Sequence, residues 1–143
     1  MKKIPKNTAI LQSLQNNMIR VILGFKRGQH VNMVHVREKL NMMSVNQMSV
    51  YHTILEAYNI MKNSASEQIR MKWTDTSVTK YSLRSASRND LKIPERPVPK
   101  CMGFSYNGPN LFNRLPQALI ETTNPHTFKS LTKKWVWKNI PSQ

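Results

Sequence analysis

Apolar side chains recur at helical spacing through the first half of the chain and lose that period after about residue 73. Over residues 8–23, Leu11, Leu14, Met18 and Ile22 fall at i, i+3, i+7 and i+11, one apolar stripe, with Gln12, Ser13, Gln15, Asn16 and Asn17 on the other face. Gly24 follows at once and is placed to end the helix as a left-handed cap. Lys26-Arg27-Gly28 then reads as a basic turn. Residues 31–40 predict a shorter helix around Val31, Val34 and Leu40, weakened by β-branched side chains. Ser44-Val45-Asn46-Gln47 fits a capping box and opens the clearest helix, running to about Lys62. Met48, Tyr51, Leu55, Tyr58 and Lys62 follow a 3-4-3-4 spacing there, and Ile54 and Met61 widen the stripe. A second box, Ser64-Ala65-Ser66-Glu67, opens a short helix through Ile69 and Met71 towards Trp73.

Residues 74–110 carry no helical period, and Ser, Thr, Asn, Arg and Pro dominate them. Short extended pieces fit at Tyr81–Leu83 and Leu91–Ile93, the second stopped by Pro94. Gly108-Pro109 is a turn signal, with Pro109 suited to the first turn of a short helix through Leu111, Phe112 and Leu115. Pro116 bends the chain, and residues 117–120 are expected to form one more turn. Asn124 as N-cap and Pro125 behind it open the last helix. Phe128, Leu131, Trp135 and Val136 make its apolar face, and Lys129, Lys133, Lys134 and Lys138 lie opposite. The expected fold is mainly α. It comprises a helical bundle over residues 1–73, an irregular basic, Pro-rich connection over 74–103, and a C-terminal helical segment over 104–143 that folds back on the bundle. No repeat of fixed period interrupts this order.

Charge changes the picture more than composition does. The chain of 143 residues has 22 Lys+Arg against 7 Asp+Glu, a formal net charge of +15. Residues 1–37 hold seven basic residues and no acid, and residues 122–143 hold four lysines and no acid. Two acid-free ends of this kind point to phosphate polymers, because each neutralised phosphate releases counterions. An acidic surface is the other partner this charge fits; the plainer readings are a solubilising charge or a fragment whose acidic half is elsewhere.

Other chemistry finds little footing. Asp75 and Asp90 are the two aspartates, which argues against carboxylate-rich metal catalysis. Cys101 is the single cysteine, so the chain forms no internal disulfide and no Cys-based zinc finger. His30, His35, His52 and His126 fit solvated or turn positions; His35 and Glu38 could share a helix face, but zinc needs three or four protein ligands. The four glycines form no phosphate loop. Neither a metal nor a cofactor is expected, and Cys101 lacks the oriented histidine of a nucleophile. The basic start, Met1 to Lys6, is not followed by an apolar stretch, and no run is long enough to span a membrane. This pattern suits a reducing compartment: cytosol, nucleus or organelle matrix.

The last helix supports three readings: contact with an RNA or DNA backbone, an anionic membrane surface, or ordinary docking with solvated lysines. Trp137 falls off its apolar face, where it could stack on an unpaired base or form an exposed rim. Most of the nine methionines sit within residues 18–71, as core filler or as an adaptable surface for a protein partner.

Several segments resemble one family in order. Leu11-Gln12-Ser13-Leu14-Gln15-Asn16-Asn17-Met18-Ile19-Arg20-Val21-Ile22-Leu23-Gly24 looks like the helix just past the polymerase core of LINE-type (non-LTR) retrotransposon reverse transcriptases. Phe104-Ser105-Tyr106-Asn107-Gly108-Pro109-Asn110-Leu111-Phe112-Asn113-Arg114-Leu115-Pro116 resembles the signature near the C-terminal end of such polyproteins, with Phe112 where that family usually has Trp. Tyr81-Ser82-Leu83-Arg84, Leu91-Lys92-Ile93-Pro94 and the closing Phe128-Lys129 with Leu131 resemble the pieces between and after. The resemblance spans residues 10–138. Fingers, palm, metal-binding aspartates, endonuclease and Cys/His knuckle are all missing from it. It implies the thumb and post-thumb region, a helical part that contacts template RNA or the primer-template duplex. Carried over by position, the phosphate contacts are Arg20, Lys26 and Arg27, and with less force Lys129, Lys133 and Lys134; Lys138 and Trp137 join them from the residue pattern. The Phe104–Pro116 signature carries no catalysis, and Tyr106, Leu111, Phe112 and Leu115 are expected to pack. The function expected is a non-catalytic, RNA-favoured nucleic-acid-binding protein or ribonucleoprotein component. The alternatives are a protein-interaction module built on Met-rich helices and a functionless truncated copy.

Overall fold

The structure, a computed structural model, describes residues 6–63, 66–74, 90–93 and 103–142. Among these residues the chain is mainly helical, with seven helices and no strand. They are α1 (Lys6–Ile22), α2 (Met33–Lys39), α3 (Val45–Asn63), α4 (Glu67–Thr74), α5 (Phe104–Phe112), α6 (Gln117–Ile120) and α7 (Pro125–Asn139). No helix among them is long and apolar enough to cross a membrane. The chain divides into two compact units, Met1–Ser49 with Trp135–Gln143, and Val50–Lys134; the divisions fall inside α3 and α7.

Local signals set the helix ends. Gly24 is left-handed (φ 67°); its N–H reaches the Val21 carbonyl at 3.2 Å, and that of Phe25 reaches Arg20 at 3.0 Å. This paired pattern closes a helix by satisfying its last carbonyls. Asn41 (φ 53°) repeats it after α2, with Asn41 N–H to Glu38 at 3.0 Å and Met42 N–H to Arg37 at 2.9 Å. The α2 N-cap is Asn32, whose side chain accepts from Val34 and His35, so the helix starts two residues later than the pattern suggests. The Ser44 capping box is present in full: Gln47 N–H donates to Ser44 Oγ (3.3 Å) and Ser44 N–H to Gln47 Oε1 (3.0 Å). Asn124 caps α7 through the N–H groups of His126 and Thr127. Ser64, Tyr81–Leu83 and Cys101 lie outside the described residues, and Leu91–Ile93 is not a strand.

In the unit of Val50–Lys134 the core is aromatic. Ile54, Ala57, Tyr58 and Ile60 of α3 are buried, and Tyr58 stacks on Phe128 with centroids 3.9 Å apart and planes 17° from parallel. The Tyr58 hydroxyl shares its proton between the carbonyls of Thr123 (2.9 Å) and Thr122 (3.1 Å). Trp73 is 1% exposed and leans on Phe104.

Gly108-Pro109 is not a turn but the middle of α5, where both residues are buried. Pro109 brings no N–H to the Ser105 carbonyl one turn back, which leaves that acceptor open. The Trp73 indole N–H fills it at 3.1 Å. Gly108 makes room for the same ring: a Cβ there would stand 2.9 Å from Trp73 Cη2. The dipeptide that breaks helices elsewhere is kept inside one because an indole occupies the gap it creates. Asn113, just after α5, pairs with both backbone groups of Leu91 at 2.8 Å each, and the Lys92 N–H bonds the Trp73 carbonyl at 2.7 Å. Phe112 and Leu115 are buried as expected, while Tyr106 and Leu111 are half-buried.

In the unit of Met1–Ser49 with Trp135–Gln143 the expected polarity of α1 is reversed. The stripe of Leu11, Leu14, Met18 and Ile22 faces outward, and Ile19 is the α1 residue buried to 2%. Polar side chains face the other elements of the unit. Gln15 Nε2 donates to the Met43 carbonyl (2.9 Å), Gln12 Oε1 accepts from Val45 N–H (2.8 Å), and Asn16 Oδ1 accepts from Arg37 Nη1 (2.6 Å). Gln12 Nε2 also bonds Gln15 and Asn16, tying the three together. Arg37 is 0% exposed and also donates to Ser142 Oγ at 3.3 Å. Gln47 Nε2 donates to the Ile140 carbonyl at 2.9 Å. The reversal follows from satisfaction: buried polar groups cost little when they find partners, and the amides of Gln12, Gln15, Asn16 and Gln47 and both terminal nitrogens of Arg37 do, while Arg37 Nε has none among the described residues.

Candidate nucleic-acid interface

The basic turn is built by the end of α1. Arg20 is half-buried and donates to the Gln29 carbonyl, while the Gln29 N–H bonds the Lys26 carbonyl at 3.1 Å. Gln29 Oε1 accepts from the Lys26 N–H at 3.3 Å, and Gly28 takes φ 89° to close the loop. The effect is to hold Lys26 and Arg27 exposed on an ordered turn. Arg20 therefore shapes the turn, and part of its guanidinium is already committed.

On α7 the buried line is Phe128, Thr132 and Val136, at i, i+4 and i+8. Leu131 and Trp135, expected at its centre, flank it half-buried. Lys129, Lys134 and Lys138 are exposed, and Lys133 is half-buried. At a rise of about 1.5 Å per residue, Lys129 and Lys138 stand roughly 14 Å apart along the helix. Trp137 differs from the expectation of a ring free to stack. It is half-buried, and its indole nitrogen is enclosed with no hydrogen-bond partner among the described residues. A large ring one position from the buried Val136 is drawn against the protein by its apolar area, whatever its helical angle.

Surface ion pairs among the described residues include His35–Glu38 at 3.9 Å and Arg70–Glu67 at 3.7 Å. Lys26, Arg27, Lys129, Lys133, Lys134 and Lys138 pair with no carboxylate among the described residues. No carboxylate of the described residues compensates their charge. Burial pushes the Arg37 guanidinium below its ordinary value, and the neighbouring Glu38 opposes that shift. Arg37 counts towards the basic excess of residues 1–37, yet it is an interior structural group with no phosphate access. Its burial has no sequence signal, since its partners Asn16 and Ser142 are 21 and 105 residues away. Among the described residues no three His, Cys, Asp or Glu side chains gather where a metal ion could sit.

No family model, curated protein or solved structure matches the chain.

Proposed function

We propose that the protein is a non-catalytic nucleic-acid-binding protein that contacts the phosphate backbone, with RNA favoured over DNA. One observation carries the reading: exposed basic side chains with no carboxylate partner among the described residues, at the Lys26-Arg27 turn and along α7, in a chain of net charge +15. Such groups gain most from phosphates because no described carboxylate already neutralises them. The backbone of Lys26 and Arg27 lies in a hydrogen-bonded turn, and Lys129, Lys133, Lys134 and Lys138 stand on one helix, which lowers the ordering cost of contact. The resemblance of residues 11–24 and 104–116 to the thumb and post-thumb region of LINE-type reverse transcriptases supports RNA as the polymer. It also supports an origin of the chain in a reverse transcriptase without its polymerase core.

The test is fluorescence anisotropy of labelled single-stranded RNA across a salt series. The pair Lys26→Glu with Arg27→Glu is expected to weaken binding to all sequences and to flatten the salt slope by about one unit per lost contact. Lys129→Glu with Lys134→Glu is expected to do the same. Unchanged affinity and slope in both pairs, with helicity retained, would remove the nucleic-acid reading. The same preparation is expected to extend no primer on a template.

A further inference from the structure

The outward face of α1 plays no part in phosphate contact. Ile10, Leu11, Leu14, Met18, Val21 and Ile22 are 53–80% exposed along it. Contiguous apolar surface of this kind on a soluble domain marks an interaction site. Its shape narrows the class of partner. Leu11, Leu14, Met18 and Val21 repeat at 3-4-3 spacing, the seam along which two helices pair. Leu14, Asn17, Met18 and Val21 stand at i, i+3, i+4 and i+7, the four corners of a hole that receives one side chain of a facing helix. With Ile22 they line a shallow depression of about 340 Å³.

Charge narrows it further. Residues 1–37 hold seven basic residues and no acid, and exposed Lys26 and Arg27 stand just beyond the end of the seam. A second copy would bring another acid-free surface of the same sign, which opposes self-pairing. A lipid surface would satisfy the charge but has no side chain to place in the hole. The bonds of Gln12, Gln15 and Asn16 to Val45, Met43 and Arg37 fix the opposite face of α1, so the seam is already presented outward.

We propose that α1 is the docking seam for an acidic amphipathic helix of a partner protein. Apolar side chains of that helix at 3-4 spacing fill the hole between Leu14 and Val21, and flanking Asp or Glu face Lys26 and Arg27. Complementary charge selects the partner, and the preformed seam lowers the ordering cost of binding.

The experiment uses the full chain and a labelled synthetic helix of about three heptads, with Leu on the seam and Glu beside it. A second peptide carries Lys in place of each Glu. The Glu peptide is expected to bind about tenfold or more tightly than the Lys peptide. The double variant Leu14→Gln with Met18→Gln is expected to lose about tenfold or more of that affinity, with helicity and RNA binding unchanged. Val21→Gln, at the most exposed position of the seam, repeats the test with one substitution. These neutral changes leave the basic turn intact, so a failure here is separable from a failure of the phosphate reading. Absent binding, equal binding of both peptides, or indifference to the variants overturns the proposal. A dimer in sedimentation that the double variant dissolves would assign the face to a second copy instead. Binding to phosphatidylserine-containing vesicles that the same variant abolishes would assign it to lipid.

Discussion

The unit of Met1–Ser49 with Trp135–Gln143 buries Arg37, Ser44 and Gln47, while the unit of Val50–Lys134 buries Ile54, Tyr58, Trp73, Phe112 and Phe128. The first keeps apolar side chains in water along α1, and also exposes Leu40, Met42 and Met48. Among its described residues the second exposes few large apolar groups, Met71 and Ile93 being two. The second unit is held by area removed from water and by ring packing, forces that fall steeply when a large side chain is cut back. The first leans on directed hydrogen bonds among Gln12, Gln15, Asn16, Arg37 and Gln47, each of modest net value but costly to leave half-made. A unit held this way leaves an apolar helix face unused by its own core. That explains how a +15 chain of this size still has a seam to offer a partner.

If this contrast is right, the largest loss comes from the aromatic unit. Trp73→Ala removes a ring 1% exposed and leaves the Ser105 carbonyl open again; a loss of about 3–5 kcal/mol is expected from chemical denaturation. A midpoint close to that of the unchanged protein would mean the indole is not central to this unit.

The polar unit is probed by Arg37→Ala, which empties a fully buried site and takes a donor from Asn16 and from Ser142. An effect on the order of 2–5 kcal/mol is expected. Arg37→Met should recover part of it, since both variants lose the charge but Met refills volume that Ala leaves empty. Equal losses for Met and Ala would show that the hydrogen bonds, not the volume, dominate.

Gly108→Ala sharpens the comparison through its sign. On propensity, Ala should stabilise a helix over Gly by about 1 kcal/mol. Against Trp73 the new Cβ meets an atom at 2.9 Å, so a net loss of about 1–3 kcal/mol is expected. A gain in melting temperature would show that the indole moves aside cheaply.

The smallest effect belongs to the α1 seam. Leu14→Gln is expected to change stability by no more than about 0.5 kcal/mol, because Leu14 is 53% exposed on the outward face of α1. A loss of several kcal/mol in thermal melts would break the contrast by placing that face inside the folded unit.

Much of this organisation was written locally. The helix ends at Gly24, Ser44 and Asn124 follow from caps whose partners lie within five residues, so the sequence shows them directly. Phe112, Leu115 and Phe128 were legible as core because nothing polar competes for those positions. The exposed lysines of α7 were legible because they stand off its apolar side. Asn32, a cap in plain view, was missed because β-branched residues around it blurred the period.

The direction in which α1 faces was not legible, and neither was the place of Gly108-Pro109. An amphipathic helix has two faces, and its period identifies them without saying which one the protein covers. For α1 that choice was made by Met43, Val45 and Arg37, between 21 and 33 residues away, whose backbone and guanidinium groups needed the amides of Gln12, Gln15 and Asn16. For Gly108-Pro109 it was made by Trp73, which supplies the donor that proline leaves missing and the bulk that glycine leaves room for. Caps close on neighbours, so a sequence states them; the partner of a buried amide or an open carbonyl is chosen by the tertiary fold, because only there do distant donors and acceptors come within reach.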